Sequence, residues 1–412
     1  MVKINSPQRE FALEIVQRLR GAGFEALWAG GCVRDELLGL VPKDYDVATS
    51  ARPDEIRELF GRRRSLAIGA AFGVITVLGP RAAGQIDVVT FRSDATYSDG
   101  RHPDSVTFTT AEHDAQRRDF TINGLFYDPV EAQVVDYVGG QQDLSSRVIR
   151  AIGDARLRFR EDKLRMLRAV RFAVAFDFVI EPETLRAIQS MAAEVTAVSA
   201  ERIGAEIRRM LVDPRRAVAV ELLRESGLLP HVLPELDLLE GRAWNDMLQR
   251  MNQLTGPTLS LTLATLLLPQ AEQAAASAQL AGVLGRRLRF TNKEIERTAW
   301  LLDHVNDLAA AADLPWPRLQ RLLIHDGAGE LVALREAIAG AGDASAAFCR
   351  ARLAWPPERL NPPPLLDGGA LIAHGLAPGP HFAPLLEKIR DAQLNGEIHS
   401  RAEALALVDR LR

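Results

Sequence analysis

The chain has 412 residues, too many for a single ordinary hydrophobic core, and reads as two to four domains. Hydrophobic residues at 47% and charged residues at 25% are values of a soluble globular protein, and no run approaches the length of a membrane span. Two cysteines, Cys32 and Cys349, exclude a disulfide framework and offer no zinc-ligand spacing, while a formal net charge of -4 advertises no nucleic-acid binding, so any such role must rest on local clusters.

The polar start, MVKINSPQRE, has no apolar signal segment, and a cytoplasmic protein is expected. Ser6 to Arg20 carries Phe11, Ile15 and Leu19 at i, i+4 spacing behind a Ser-Pro pair, which predicts a packing helix. Phe24 to Trp28 suits a strand, Gly30 and Gly31 a turn, Val33 to Leu38 one or two helical turns, and Asp44 to Val47 a second strand. Strand side chains repeat every second position, so Asp44 and Asp46 project from one face and can hold divalent cations between them. The glycines let a ligand approach the backbone, and the helix after them aims free N–H groups at it. Phosphate on one side and metal on the other point to phosphoryl or nucleotidyl transfer. A Gly turn before a solvated acidic strand end is the plainer alternative, and it weakens when both features occur in this order.

Pro53 to Phe60 predicts another helix, and Arg62, Arg63 and Arg64 read as a solvated basic run. Phe72 to Leu78 and Gln85 to Phe91 read as strands. In the second, Asp87 alternates with Val89 and Phe91 along one face, and a carboxylate buried among apolar residues needs a partner or a metal. Asp87 is the candidate third carboxylate beside Asp44 and Asp46, with a salt bridge to an arginine as the alternative. Ser93 to Thr110 is polar, punctuated by Gly and Pro, and too long for a tight hairpin, as in a lid or a disordered ornament. In Arg117 to Gly124, RRDFTING, the amide of Asn123 suits a ribose or a base.

Arg147 to Arg171 is the local basic cluster, with Arg156, Arg158, Arg160, Lys163, Arg165, Arg168 and Arg171 around the helical pattern Leu164, Leu167, Val170. Asp162 and Arg165, three residues apart, are expected on nearly one helix face. Such a pair reads a base: Asp accepts from the exocyclic amino group of C or A, Arg donates to the adjacent ring nitrogen, and G and U present the opposite polarity. An ordinary i, i+3 ion pair is the alternative. Arg168 and Arg171 rotate off that face and are expected at phosphates or in structural pairs. From Glu181 onward the pattern is helical, with segments at Ser199 to Val212, Pro214 to Ser226, Gln270 to Leu284 and Asn292 to Val305. Pro356 to Pro364 reads as a linker and Leu371 to Leu411 as a small helical tail.

The segments GGCVRDELLGLVPKDYD, QIDVVTFR, TYSDGRHPDSV, RRDFTING, EDKLRMLRAVRF and ERIGAEIRRML resemble, in order, the motifs of the class II tRNA nucleotidyltransferases, the CCA-adding enzymes with bacterial poly(A) polymerases as close relatives. They span about the first half of the chain. The resemblance implies an α+β fold with a polymerase-beta-like nucleotidyltransferase head at 1–140, a helical neck at 141–205, a body at 206–355 and a tail at 356–412. It implies tRNA, CTP and ATP as substrates, magnesium held by Asp44 and Asp46 with Asp87 beside them, no membrane and no obligate protein partner. Gly30, Gly31 and Arg34 would cradle the triphosphate, Arg118 and Asn123 would contact the nucleotide, and Asp162 and Arg165 would stand in for a template. Arg168 and Arg171 complete the expected nucleotide-binding set, and Thr96 to Pro103 would be the loop that serves the switch from C to A addition.

Two departures from the family pattern narrow the expectation. Poly(A) polymerases carry a GRRFRLxHV-like segment where this chain has Gly69 to Val77 without its arginines and histidine, which favours the tRNA enzyme. Poly(A) polymerase stays as the first alternative, and an A-adding enzyme of a split CC/A system is the second. Some relatives have a metal-binding HD-type region downstream; here Trp244 is followed by Asn245, and the apolar helix from Leu259 is expected to end at Leu267-Leu268-Pro269 without a His-Asp pair, so that this body would bind the tRNA elbow as a structural element. His231 and His304 read as packing or surface residues.

Overall fold

The structure, a computed structural model, describes residues 6–94, 105–274, 277–340 and 342–411. Its contacts divide the chain into two units that meet in sequence between Asp237 and Leu238. The first unit is built on a seven-stranded sheet: β1 (Ala26–Ala29), β2 (Asp46–Thr49), β3 (Ser65–Gly69), β4 (Val74–Leu78), β5 (Gln85–Thr90), and later β8 (Phe126–Asp128) and β9 (Gln133–Val135). The order is β3-β4-β5-β2-β1-β8-β9. Only β2 and β5 run parallel within it.

Alternation gives this sheet two unlike faces. Val47, Ile75, Val77, Ile86 and Val88 are buried on the side packed by α1 (Pro7–Gly21) and α3 (Pro53–Phe60). The α1 pattern of Phe11, Ile15 and Leu19 supplies that contact, and Ser6 caps the helix by accepting from Arg9 N–H. On the opposite face Leu27, Ala29, Ala48, Phe91 and Phe126 pack under Ala111 and Ala115 of α4 (Ala111–Gln116). This lid of small residues stops short of Asp46, Asp87 and Thr76, which remain exposed or half-buried.

Three local expectations change. Strand β2 begins at Asp46 rather than Asp44. The basic run leads directly into a strand, β3, that the sequence pattern concealed. Ser93 to Thr110 is anchored at its ends, where β6 (Arg92–Asp94) pairs with β7 (Val106–Phe108); the expected loop, Thr96 to Pro103, lies outside the described residues. After α5 (Gly140–Ser146), the two-residue strands β10 (Val148–Ile149) and β11 (Val179–Ile180) pair in parallel and tie the ends of a helical pair, α6 (Ala155–Glu161) and α7 (Leu164–Phe176). Helices α8 (Pro182–Met191), α9 (Ala200–Leu211), α10 (Arg216–Glu225) and α11 (Leu229–Val232) complete the unit.

Among its described residues the second unit contains helices and connections only, from α12 (Gly241–Gln253) and α13 (Leu259–Ala274) through the tail helices at Gly368–Ala373, Phe382–Leu394 and Arg401–Leu411. Helix α13 runs through Pro269 instead of ending there. Leu266, Leu267 and Leu268 are at most 2% exposed, and packing on all sides outweighs the roughly 3 kcal/mol helix penalty of a proline. The tail builds its own small core from Leu366, Leu371, Ile389, Ile398 and Val408. No helix among the described residues is long and apolar enough to cross a membrane.

Candidate active site

Asp44, Tyr45 and Asp46 alternate outward, inward, outward. Tyr45 is 2% exposed, stacks edge-on against Trp28, and donates from its hydroxyl to the buried Glu36 carboxylate of α2 (Gly31–Leu37) at 2.6 Å. Arg9 holds the same carboxylate at 2.9 Å. This inward anchor leaves the two flanking carboxylates on the solvent side, and it is a residue that motif reading passed over. Asp87 is the register partner of Asp46 on the neighbouring strand. Contrary to expectation it is half-buried rather than buried, and its partner is the Thr76 hydroxyl at 2.5 Å; no arginine pairs with it among the described residues.

Partial burial pushes the Asp46 carboxyl up to about 6, with the Asp44 charge next in the same direction, Arg118 opposing, and Asp87 adding a smaller push. The charges of Asp44 and Asp87 beside the Asp46 carboxyl are an arrangement that a bound cation would relieve. Among the described residues no three His, Cys, Asp or Glu side chains form a complete metal cage by themselves.

One residue beyond Ala29, the register partner of Asp46, Gly30 adopts φ 72, a conformation open to glycine. A Cβ there would lie 2.7 Å from Nη1 of Arg118, so glycine is required for close approach as well as for the turn. Arg118 is held by the buried Asp114, which also pairs with Arg117, and donates to the Asn123 carbonyl at 3.3 Å. Arg34 donates to the Asn123 side-chain oxygen at 2.5 Å and lies 4.5 Å over the Phe176 ring. The Asn123 amide in turn donates to Asp119, which takes a two-pronged pair from Arg168 at 2.8 and 2.6 Å. Three arginines and an asparagine are thus fixed by carboxylates from behind.

The helix expected to carry Asp162 and Arg165 is broken between them. Asp162 is extended at the end of α6, with φ -145, and its side chain accepts from Leu164 N–H at the start of α7 at 3.1 Å. The other carboxylate oxygen meets Arg202 of α9 at 2.7 Å. Arg165 donates to Glu161 at 2.5 Å, to the Arg158 carbonyl at 3.1 Å and to the Arg117 carbonyl at 3.3 Å. The two residues therefore do not pair with each other as a surface i, i+3 bridge would. Each is held by other groups, and the helix break brings both to one wall.

That wall belongs to a cavity of about 380 Å³ lined by Gly30, Gly31, Arg34, Arg117, Arg118, Asp119, Asn123, Asp162, Leu164, Arg165, Arg168, Phe172 and Arg202. Its size suits a small organic ligand, and its lining is strongly cationic with one aromatic plane. A larger cavity of about 600 Å³ lies in the second unit between Thr258, Lys293, Arg297 and Glu330, but it holds none of the expected residues. Arg171 is not brought to the nucleotide-sized cavity; one further helical step turns it to Glu206 of α9, at 2.5 Å. Arg117, Asp119, Phe172 and Arg202 line the cavity although none of them was a candidate site residue from sequence. Asp119 and Arg202 lie inside quoted motifs, but their partners are 49 and 40 residues away in the chain, a separation no spacing rule reveals.

Comparison with known proteins identifies the family of the chain. A family model described as the poly A polymerase head domain matches residues 26–150, and one described as a probable RNA and SrmB-binding site of polymerase A matches residues 177–239. The CCA-adding enzyme of Lactobacillus helveticus is 32% identical over 414 residues, covering 98% of each chain. Among solved structures, the Bacillus stearothermophilus CCA-adding enzyme in complex with CTP superposes with a TM-score of 0.79 at 30% identity, over 99% of this chain and 98% of that one. The Thermotoga maritima CCA-adding enzyme complexed with tRNA has the same fold, with a TM-score of 0.67 at 20% identity over 100% and 97% of the two chains.

Proposed function

The chain belongs to the CCA-adding enzyme family, and from that premise we propose that it adds nucleotides from CTP and ATP to the 3′ end of tRNA, without a nucleic-acid template and with release of pyrophosphate. The observation that carries it is one cavity whose lining gathers Arg34 and Arg118 with Asp162 and Arg165 and includes Gly30, one residue from the register partner of Asp46. Arg34 and Arg118, pre-fixed through Asn123 and Asp114, supply positive charge for the triphosphate at little cost of reorganisation. Asp162 presents an acceptor and Arg165 a donor for the base edge of C or A. Their outside partners, Arg202 and Glu161, hold them to that orientation. Arg168 and Asn123 extend the same wall, while the placement of Arg171 supports a bracing role through Glu206.

Members of this nucleotidyltransferase family depend on a divalent metal, and we assign magnesium. Asp44 and Asp46, with Asp87 alongside, offer oxygen donors only, and magnesium is commonly bound through one or two carboxylates together with substrate phosphates instead of a full protein cage. When bound, such an ion neutralises phosphate charge and lowers the proton affinity of an attacking hydroxyl. The two buried free thiols, Cys32 and Cys349, fit the reducing cytoplasm, where we place the reaction.

Labelled CTP and ATP supplied with magnesium to tRNA lacking its terminal CCA test the reading. Incorporation of both is expected, incorporation of ATP alone would indicate an A-adding enzyme, and incorporation of neither would refute nucleotidyl transfer. Asp46→Ala is expected to abolish incorporation while tRNA binding persists.

A further inference from the structure

Helix α2 faces two ways. At about 100° per residue Arg34 and Glu36 point to nearly opposite sides, and their contacts agree: Arg34 lines the nucleotide-sized cavity, whereas Glu36 is 1% exposed and turns into the core. There Glu36 accepts from the Tyr45 hydroxyl at 2.6 Å and from Arg9 of α1 at 2.9 Å. One short helix thus carries a residue expected at the triphosphate on one side and grips the stretch that bears the carboxylates with the other.

That stretch has little else to hold it. Strand β2 joins its neighbours from Asp46 onward, so Asp44 lies outside the ladder. Gly39, Leu40, Val41, Lys43 and Asp44 are exposed, and only Pro42 and Tyr45 are buried between Leu38 and Asp46. Among the described residues the Tyr45 hydroxyl makes the one side-chain hydrogen bond from this stretch, back to a residue nine positions earlier in the chain. The Glu36 side chain has no exposed surface, and a hydroxyl that donates to a carboxylate makes a bond about twice as strong as a neutral pair. Arg9 compensates the buried charge and lies 4.8 Å over the Trp28 ring, against which the Tyr45 ring packs. Carboxylates as near in sequence as Asp44 and Asp46 repel each other, and without the tether Asp44 would swing away into solvent.

We propose that Arg9, Glu36 and Tyr45 are positioning residues for the divalent metal, fixing the Asp44 and Asp46 carboxylates relative to the phosphate cradle on α2 so that one ion can meet both carboxylates and nucleotide phosphates. The inference rests on the nucleotidyl-transfer reading above and adds to it the residues that couple metal binding to nucleotide binding.

Tyr45→Phe keeps the ring against Trp28 and leaves Glu36 paired with Arg9, so it removes the tether alone. Calorimetry of the full chain with CTP, in EDTA and in magnesium, gives the factor by which the ion strengthens CTP binding; by linkage CTP strengthens binding of the ion by the same factor. Association of magnesium with CTP in solution is common to both proteins and cancels from their comparison. In EDTA the variant is expected to bind CTP as the wild type does. In magnesium its factor is expected to be roughly tenfold smaller, which converts to about 1.4 kcal/mol, the size of one lost hydrogen bond. Addition of CTP to tRNA lacking CCA is expected to lose kcat at low magnesium and regain most of it as magnesium is raised, with KM for tRNA unchanged. Glu36→Gln keeps an oxygen for the Tyr45 hydroxyl but drops its charge; it is expected to lower the factor less, and the double variant no further than Tyr45→Phe does. If Glu36→Gln folds poorly, Tyr45→Phe carries the test by itself. A lowered urea midpoint with an unchanged magnesium factor would make Tyr45 a packing residue and overturn the proposal. So would an equal loss of CTP binding in EDTA, or losses that multiply in the double variant. Failure of the wild type to incorporate any nucleotide would refute the parent reading instead.

Discussion

Asp119 is enclosed by its donors: one oxygen accepts from Phe120 N–H at 2.8 Å and the Asn123 amide at 3.0 Å, the other from two nitrogens of Arg168. Burial alone would push its carboxyl up, but Arg168, the Asn123 amide and Arg165 outweigh it and hold the group at about 2, below the ordinary 3.8. The folded state therefore binds this proton more weakly than the unfolded chain. Stability from the group is complete above pH 4 and is lost as pH falls through 3.8 towards 2, amounting to about 2 kcal/mol. Asp119→Asn is expected to be less stable than wild type by about that amount at pH 7, with the difference shrinking between pH 4 and pH 2. Urea midpoints along a pH series measure it; a difference independent of pH would show that packing, not charge, is what Asp119 contributes. Gly124 is explained on the same scale. A Cβ there would lie 2.7 Å from Cγ2 of Val138 and 3.1 Å from Cδ1 of Ile152, so glycine leaves room for both side chains.

At the scale of elements, the break between α6 and α7 decides the site. Asp162 serves there twice, as acceptor for Leu164 N–H and as the carboxylate braced by Arg202, and the two roles separate by substitution. Asp162→Asn keeps an oxygen for the Leu164 bond and is expected to leave stability within about 0.5 kcal/mol, whereas Asp162→Ala is expected to cost about 1 kcal/mol, the usual value of a lost hydrogen bond. Both are expected to misincorporate UTP and GTP, read by competition against CTP and ATP on tRNA lacking CCA. Unchanged selectivity in Asp162→Asn would leave the residue as a brace of the helix break alone. The break also marks where sequence reading ran out. Periodicity in Leu164, Leu167 and Val170 continues without a glycine or proline to announce an interruption, although an aspartate just before an apolar run is itself a helix-start signal. The Gly30 turn, α1 and β5 were legible because their signals are local. The hidden strand β3 was not, because its outward Leu66 and Ile68 are apolar where an alternating surface strand would be polar. The braces Asp119–Arg168 and Asp162–Arg202 were not, because they join segments distant in the chain.

Over the whole molecule, the formal net charge of -4 hides a local asymmetry, since the nucleotide-sized cavity gathers Arg34, Arg117, Arg118, Arg165, Arg168 and Arg202 against Asp119 and Asp162. Every one of these residues, and all three candidate carboxylates, lies before the unit boundary at Asp237. The tail meanwhile has a hydrophobic core of its own, so the second unit does not depend on the first for all of its burial. A chain truncated after Asp237 should therefore keep CTP binding within about threefold of the full chain, a change of under about 0.7 kcal/mol. If the second unit carries tRNA contacts, as the helical-body expectation holds, the same truncation should weaken tRNA by at least tenfold, with a shallower fall of binding against salt because fewer phosphates are neutralised. Calorimetry with CTP and filter binding with tRNA across a salt series separate the two effects. Loss of CTP binding in a fragment whose circular dichroism is native would mean that the cavity needs the second unit to hold its shape. Undiminished tRNA binding would place the whole RNA surface on the first.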